Sequence, residues 1–245
     1  MEKRFFIDQN LIENNTITLT EDEHVHLSKV LRLRVGEVVE CFYDNGPILK
    51  CEIELITKNY STLKVLSQEE VCSNPKVNIT LFQGLPKLDK LELISQKLTE
   101  IGVGRIIPFS STFCIAKENL NKIDRIKKII ISACKQCGRT SLTKVENPVK
   151  FDDMLKMFDN FDVVIFANET QKNYTLDQAL SEVDVNNEVN VAYIVGSEGG
   201  FSPAEIEKIC ANKKVKSISL GNRILRTETA SIALGTLLAH KLGEF

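Results

Sequence analysis

Two short stretches hold the residues whose types and spacing permit chemistry. The first, Gly196-Ser197-Glu198-Gly199-Gly200-Phe201-Ser202, sets a carboxylate inside a glycine loop. The second, Leu220-Gly221-Asn222-Arg223-Ile224-Leu225-Arg226-Thr227-Glu228-Thr229-Ala230, sets a guanidinium two residues from a carboxylate. An arginine can stabilise negative charge developing on an oxygen, or pin a phosphate through its planar fork of donors. A carboxylate beside it can orient the arginine or carry a proton. Each of these groups can equally be a structural ion pair. The glycines let backbone approach a ligand without a Cβ clash, although a glycine loop alone also marks a plain strand–turn–helix connection.

Several other chemistries lack their residues. No Gly-x-x-x-x-Gly-Lys-Ser/Thr run exists to cradle a phosphate, no GxGxxG opens a first strand–helix unit, and no serine elbow is present. His24, His26 and His240 are too few and too scattered for a histidine metal cluster or a Ser-His-Asp triad. Seven cysteines in a chain without a secretory leader argue against a disulfide framework. Cys134-Lys-Gln-Cys137 is a CxxC without a second pair, so core or half-buried thiols are expected there, and no metal site.

The elements that position the two stretches follow from the apolar pattern. β-branched runs at 190–195 and 216–220 read as strands, each ending at one of the loops. Ser202, Pro203 and Glu205 form a capping box with proline at the first helical position, and a closing helix is expected over 229–242. Upstream, strands are expected at 77–82, 105–109 and 161–167. Between them lie amphipathic helices, one from Pro86 to Gly102 and one through Ile123, Ile126, Ile130, Cys134 and Cys137. Shorter helices are expected at 151–158 and 176–181. Strands alternating with helices give a mostly parallel sheet covered on both faces, with ligands at the carboxyl edge of its strands.

Residues 1–72 read differently. Short strands are expected at 4–7, 16–19, 38–42, 50–56 and 61–66, with a turn at Tyr43-Asp-Asn-Gly-Pro47 and one helix capped by Thr20. Five short strands suggest a compact barrel. Lys29, Arg32 and Arg34 gather at the helix end, where cations suit the dipole and can also meet phosphate. Polar residues 69–76, with Asn74-Pro75, mark the boundary. The 245-residue chain carries a net charge of −2, which makes no global case for nucleic acid. Its distribution says more: residues 1–72 are net −5 and the remainder net +3. Residues 117–144 hold Lys117, Lys122, Arg125, Lys127, Lys128, Lys135, Arg139 and Lys144 against only Glu118 and Asp124. That pattern fits a phosphate-binding patch or the solvated face of a surface helix. No apolar run is long enough to span a bilayer, and the first residues lack a signal peptide, so a soluble cytoplasmic protein is expected.

The paired stretches resemble the signature of the SPOUT methyltransferases. Within them the chain resembles the RsmE-type family, which methylates N3 of a uridine in small-subunit ribosomal RNA. Arg4-Phe5-Phe6, Val30-Leu31-Arg32-Leu33, Leu85-Pro86-Lys87, Gln96-Lys97-Leu98-Thr99-Glu100-Ile101-Gly102-Val103 and Gln136-Cys137-Gly138-Arg139 extend the likeness along the chain. The resemblance implies an α/β fold: a C-terminal SPOUT-type trefoil-knot domain with a mostly parallel sheet over 73–245, preceded by a small PUA-like β-barrel over 1–72 that helps hold RNA. It also implies a homodimer with the active site bordering the interface, and S-adenosylmethionine bent within the knot. The implied cofactor residues are Ala167, Asn168 and Glu169; Val195, Gly196, Glu198, Gly199 and Gly200; and Leu220, Gly221, Ile224, Leu225, Arg226, Thr229 and Ala230.

Arg226 and Glu228 are the catalytic candidates, since N3 of uracil must lose its proton and negative charge then builds on the carbonyl oxygens. Arg4, Lys29, Arg32, Arg34, Lys87, Lys128, Lys135 and Arg139 are the candidate contacts to 16S rRNA or the small ribosomal subunit; DNA and membranes are not expected partners. The family usually has proline at Ser197 and Asn222, which puts loop rigidity in question, and often serine at Cys137. Two other readings remain open: a methyltransferase acting on another base nitrogen or a ribose 2′-hydroxyl, and an RNA-binding ribosome-assembly protein without catalysis.

Overall fold

The computed structural model describes residues 3–71, 74–114, 123–181, 183 and 189–245. Backbone contacts divide the chain into two units, Met1–Asn74 with Cys134–Leu142, and Pro75–Ala133 with Thr143–Phe245. The division falls two residues later than expected, and a distant segment joins the first unit. Hydrogen bonds within that unit explain both. Asn74 Oδ1 accepts the backbone N–H groups of Thr140 at 2.8 Å and Ser141 at 2.9 Å, Thr140 Oγ1 donates to the Gly46 carbonyl at 2.7 Å, and Asp44 Oδ1 accepts from Leu142 N–H at 2.8 Å.

The first unit holds β1 (Arg4–Phe6), β2 (Ile12–Glu13), β3 (Thr16–Leu19), α1 (Glu21–Val25), β4 (Val38–Phe42), β5 (Ile48–Ile56) and β6 (Ser61–Glu69). They form one six-stranded sheet in the order β1-β4-β5-β6-β3-β2, antiparallel except for β1 against β4. Alternate residues of β5, Leu49, Cys51 and Ile53, face inward and share one core with Phe5, Ile17, Leu19, Val39, Cys41 and Leu63. A sheet whose every main strand reaches the same core must curl around it. The chain reverses between β4 and β5 at Asn45, whose φ of 58° is the left-handed turn conformation. Thr20 makes no side-chain cap. Instead Glu21, Asp22 and Glu23 fill the first turn of α1, where acidic charge meets the positive helix end, and His26–Val30 continue it as a π-helical turn.

The second unit holds β7 (Asn78–Gly84), α2 (Leu88–Ile101), β8 (Arg105–Ser110), α3 (Ile123–Cys137), β9 (Lys144–Val145), β10 (Val149–Lys150), α4 (Phe151–Lys156), β11 (Val163–Ala167), α5 (Leu176–Leu180), β12 (Asn190–Val195), α6 (Pro203–Cys210), β13 (Val215–Ile218) and α7 (Thr227–Lys241); the last residues of α3 belong to the first unit. Every ladder of its sheet is parallel, in the order β10-β8-β7-β12-β11-β13, with β9 also on β8. Phe82, Phe109, Phe166 and Ile194 point to one face, against Met154, Phe158 and Ile209. The other face is covered by α7, where the Tyr193 hydroxyl donates to the Ser231 carbonyl at 3.1 Å. Burial on both faces is why these strands read as continuous apolar runs. α7 starts two residues earlier than the apolar spacing suggested, because Thr227 and Glu228 already belong to its first turn. Among the described residues no helix is long and apolar enough to cross a membrane.

Candidate active site

β12, β11 and β13 lie side by side and run the same way, so the loops after Val195, Ala167 and Ile218 emerge at one sheet edge. There they enclose a cavity of about 400 Å³, within the range typical of ligand pockets. Ala167, Asn168, Glu169, Val195, Gly196, Gly200, Leu220, Gly221, Ile224, Leu225 and Ala230 line it; Glu198, Gly199, Arg226 and Thr229 do not. Phe166, Phe201 and Ile206 add an apolar wall that the sequence reading had not placed there. Phe201 is fixed edge-on to Phe166 at 5.2 Å and stacked on Phe109 at 6.0 Å between ring centres.

Each loop is built for its path. Asn168 staples the first: its Oδ1 accepts from Thr170 N–H at 3.1 Å and Thr170 Oγ1 at 2.9 Å, and its amide donates to Ser217 Oγ at 3.1 Å. In the second, Gly200 has φ +67°, a turn conformation that favours glycine. The next residues enter α6 through the expected capping box: Ser202 Oγ accepts Glu205 N–H at 3.3 Å, and Glu205 Oε2 accepts Ser202 N–H at 2.9 Å. Glu205 Oε1 also accepts from Thr112 N–H at 2.8 Å and Thr112 Oγ1 at 3.0 Å. Burial alone would raise the Glu205 pKa, but these donors outweigh it and hold the carboxyl below its ordinary value.

A buried polar network ties the second loop to the third. Thr227, the first residue of α7, donates from Oγ1 to the Gly196 carbonyl at 2.6 Å. Gln83, at the end of β7 and fully buried, donates to Thr227 Oγ1 at 2.9 Å and to the Gly84 carbonyl at 2.9 Å, and accepts from Ser231 Oγ at 2.5 Å. Neither Gln83 nor Thr227 stood out as a site residue. The one available signal was a glutamine closing an otherwise apolar run. Ser197 lies on the lining, 7% exposed, and its Oγ has no hydrogen-bond partner among the described residues.

Charge at the pocket rim is arranged differently from the expectation. Glu228 Oε2 pairs with Lys90 of α2 at 3.2 Å, and Lys90 also meets Glu198 Oε1 at 3.2 Å. Glu198 Oε1 further accepts the Lys87 N–H at 3.3 Å. Burial works against the Lys90 ammonium, yet the two carboxylates overcome it and hold its pKa above the ordinary lysine value. Burial likewise pushes the Glu198 carboxyl up, and backbone N–H groups with Lys90 bring it below its ordinary value. The Glu228 carboxylate, expected to orient Arg226 or carry a proton, is paired among the described residues with Lys90. Arg226 occupies the N-cap of α7 between two lining residues, Leu225 and Thr227; it is exposed, and no carboxylate among the described residues pairs with it.

The basic residues separate into two groups. Lys29, Arg32, Arg34, Lys87 and Lys128 are exposed. Arg4 and Arg139 are instead 3% exposed: Arg4 pairs with Glu40 at 2.9 Å over the Phe42 ring, and Arg139 donates to Ser141 Oγ at 3.1 Å. Lys135 is half-buried in an ion pair with Glu23. These three side chains brace the first unit and present little charge to a ligand, a correction to the expected nucleic-acid contacts. Of the basic patch, Arg125 pairs with Glu92 at 2.9 Å and Lys127 with Asp124 at 3.4 Å, while Lys117, Glu118 and Lys122 lie outside the described residues. Cys134 is buried, and burial pushes its thiol pKa up to about 12, so it stays protonated as a core group.

Comparison with known proteins bears on this site. Residues 73–239 match the model of an RNA methyltransferase domain, and residues 19–66 that of an RNA methyltransferase PUA domain. Ribosomal RNA small subunit methyltransferase E of Rickettsia conorii is 34% identical over 94% of this chain and 91% of its own length. The chain belongs to the ribosomal RNA small subunit methyltransferase E family. The Bacillus subtilis member is 30% identical over 94% of this chain and 93% of its own. The crystal structure of the Neisseria gonorrhoeae member, bound to S-adenosyl methionine, superposes with a TM-score of 0.87 at 28% identity, covering 100% of both chains. The curled first sheet and the parallel second sheet are thus the PUA and SPOUT-type methyltransferase parts of this family.

Proposed function

We propose that this protein binds S-adenosylmethionine in the pocket at the sheet edge and methylates N3 of a uridine in the 16S RNA of the small ribosomal subunit. The observation that carries this reading is the pocket itself: three loops at one sheet edge, in a chain that superposes end to end on a family member bound to that cofactor. The residues suit the group. An adenine and a sulfonium need an apolar slot with backbone and neutral polar groups, and Phe166, Phe201, Leu220 and Leu225 with Asn168 supply them. The buried Ser197 Oγ, which has no hydrogen-bond partner among the described residues, is a hydrogen-bonding group available to the ligand.

When bound, S-adenosylmethionine supplies a methyl group on sulfur. The chain does the rest. Arg226, exposed next to the lining and without a carboxylate partner among the described residues, stabilises negative charge on a uracil carbonyl oxygen as N3 loses its proton to solvent. N3 then takes the methyl group and a neutral thioether is left. The lining residues hold donor and acceptor in line. Lys29, Arg32, Arg34, Lys87 and Lys128 supply exposed charge for the RNA backbone. A homodimer, a knotted arrangement of the pocket loops and a cytoplasmic location belong to the same reading.

An Arg226→Ala variant tests it. Methyl transfer to small-subunit RNA should fall by about 10²-fold, as for loss of one charge-stabilising donor, while calorimetry still shows cofactor binding. Full activity in this variant refutes the role of Arg226.

A further inference from the structure

We infer that Lys90 is a positioning residue that holds the Glu228 carboxylate away from Arg226 and so keeps the Arg226 guanidinium free for substrate. This rests on the methyltransferase reading above and adds a residue to it.

Lys90 lies in the first turn of α2, where a cation opposes the helix dipole, so its place there does not serve the helix. It serves the two carboxylates instead. Its ammonium stands 3.2 Å from Glu198 Oε1 and 3.2 Å from Glu228 Oε2. Glu198 belongs to the loop after β12 and Glu228 to the first turn of α7, so one side chain ties that pocket loop to the start of α7. The Lys90 and Glu228 side chains are only 20% and 16% exposed, which shields the pair from solvent.

Arg226 lies two residues before Glu228 at the same helix end, again a cation where the dipole disfavours one. The nearest carboxylate in sequence is Glu228, and an arginine that reaches a carboxylate commonly forms a forked pair with it. Among the described residues the only cation paired with Glu228 is Lys90. Lys90 therefore decides which cation Glu228 neutralises. Two residues that break the local helix rule at one pocket rim mark a site where geometry is kept for function.

The experiment compares Lys90→Met, Lys90→Arg and the double variant Lys90→Met/Glu228→Gln, reading kcat and KM for methyl transfer to small-subunit RNA, cofactor affinity by calorimetry and thermal stability. Lys90→Met should lower kcat by about tenfold, the scale of one local coupling, with cofactor affinity within about twofold. Lys90→Arg should retain most of the activity. The double variant should be more active than Lys90→Met alone, because no carboxylate remains to capture Arg226. A double variant as impaired as the single one, or a Lys90→Met enzyme with unchanged kcat, overturns the inference while leaving the methyltransferase reading intact. If Lys90→Met proves unstable, Lys90→Gln compared with Lys90→Gln/Glu228→Gln decides: a gain on adding Glu228→Gln supports the inference, and equal or lower kcat overturns it. A wild-type protein that binds no S-adenosylmethionine and methylates no RNA overturns both.

Discussion

Replacing Thr227 by valine tests whether the polar network preforms the pocket. Valine keeps the shape and removes the hydroxyl. Two bonds disappear, the donation to the Gly196 carbonyl at 2.6 Å and the acceptance from Gln83 Nε2 at 2.9 Å. Thr227 is 6% exposed, so water does not replace them. At about 1 kcal/mol net per buried bond, the loss is about 2 kcal/mol. Gln83 keeps the Gly84 carbonyl as acceptor and a longer contact to Gly196 at 3.3 Å, which prevents a larger penalty. Urea unfolding should show the loss as a lower midpoint at unchanged slope. Because Gly196 and Thr227 both line the cavity, part of the loss should appear in ligand affinity. A share of 1.4 kcal/mol weakens S-adenosylmethionine binding about tenfold by calorimetry. Unchanged affinity with lowered stability would show that the network braces the fold without shaping the pocket. No change in either would refute the reasoning.

Two further substitutions probe other parts of the structure. Gly84→Ala places a Cβ 2.5 Å from the Ser197 backbone nitrogen, so the loop after β12 must shift, and a cost of about 1–3 kcal/mol with weaker cofactor binding is expected in unfolding and titration experiments. Glu205→Gln removes a carboxylate whose folded pKa lies below its ordinary 4.5. Its contribution is full above that ordinary value and is lost as pH falls through the lowered folded value. The gap in unfolding free energy between wild type and Glu205→Gln should therefore be largest near neutral pH and close in acid.

Much of the second unit was legible because each signal was local. The apolar run before residue 196 is buried on both faces, and the Ser202 box satisfies its own helix end. The pocket loops were legible for the same reason, since each follows a strand whose direction the alternating pattern fixes. Signals that depend on long-range pairing were not. Nothing local tells Lys90 to reach Glu198 and Glu228 across more than a hundred residues, or draws Glu228 from the arginine two residues away. Arg4 and Arg139 show the converse. Their charge suggested a surface role, but Glu40, Phe42 and Ser141 hold them inside. The joining of 134–142 to the first unit rests on Asn74 and Asp44 side chains, which a boundary drawn from composition does not register.

The most direct measurement is nucleoside mass spectrometry of small-subunit RNA incubated with the purified protein and S-adenosylmethionine. Methyl transfer in the sheet-edge pocket to N3 predicts one added 3-methyluridine per RNA, at a single position. Methylation at another atom would contradict the assigned nucleophile, and no incorporated methyl group in RNA or intact subunits would contradict the enzyme itself.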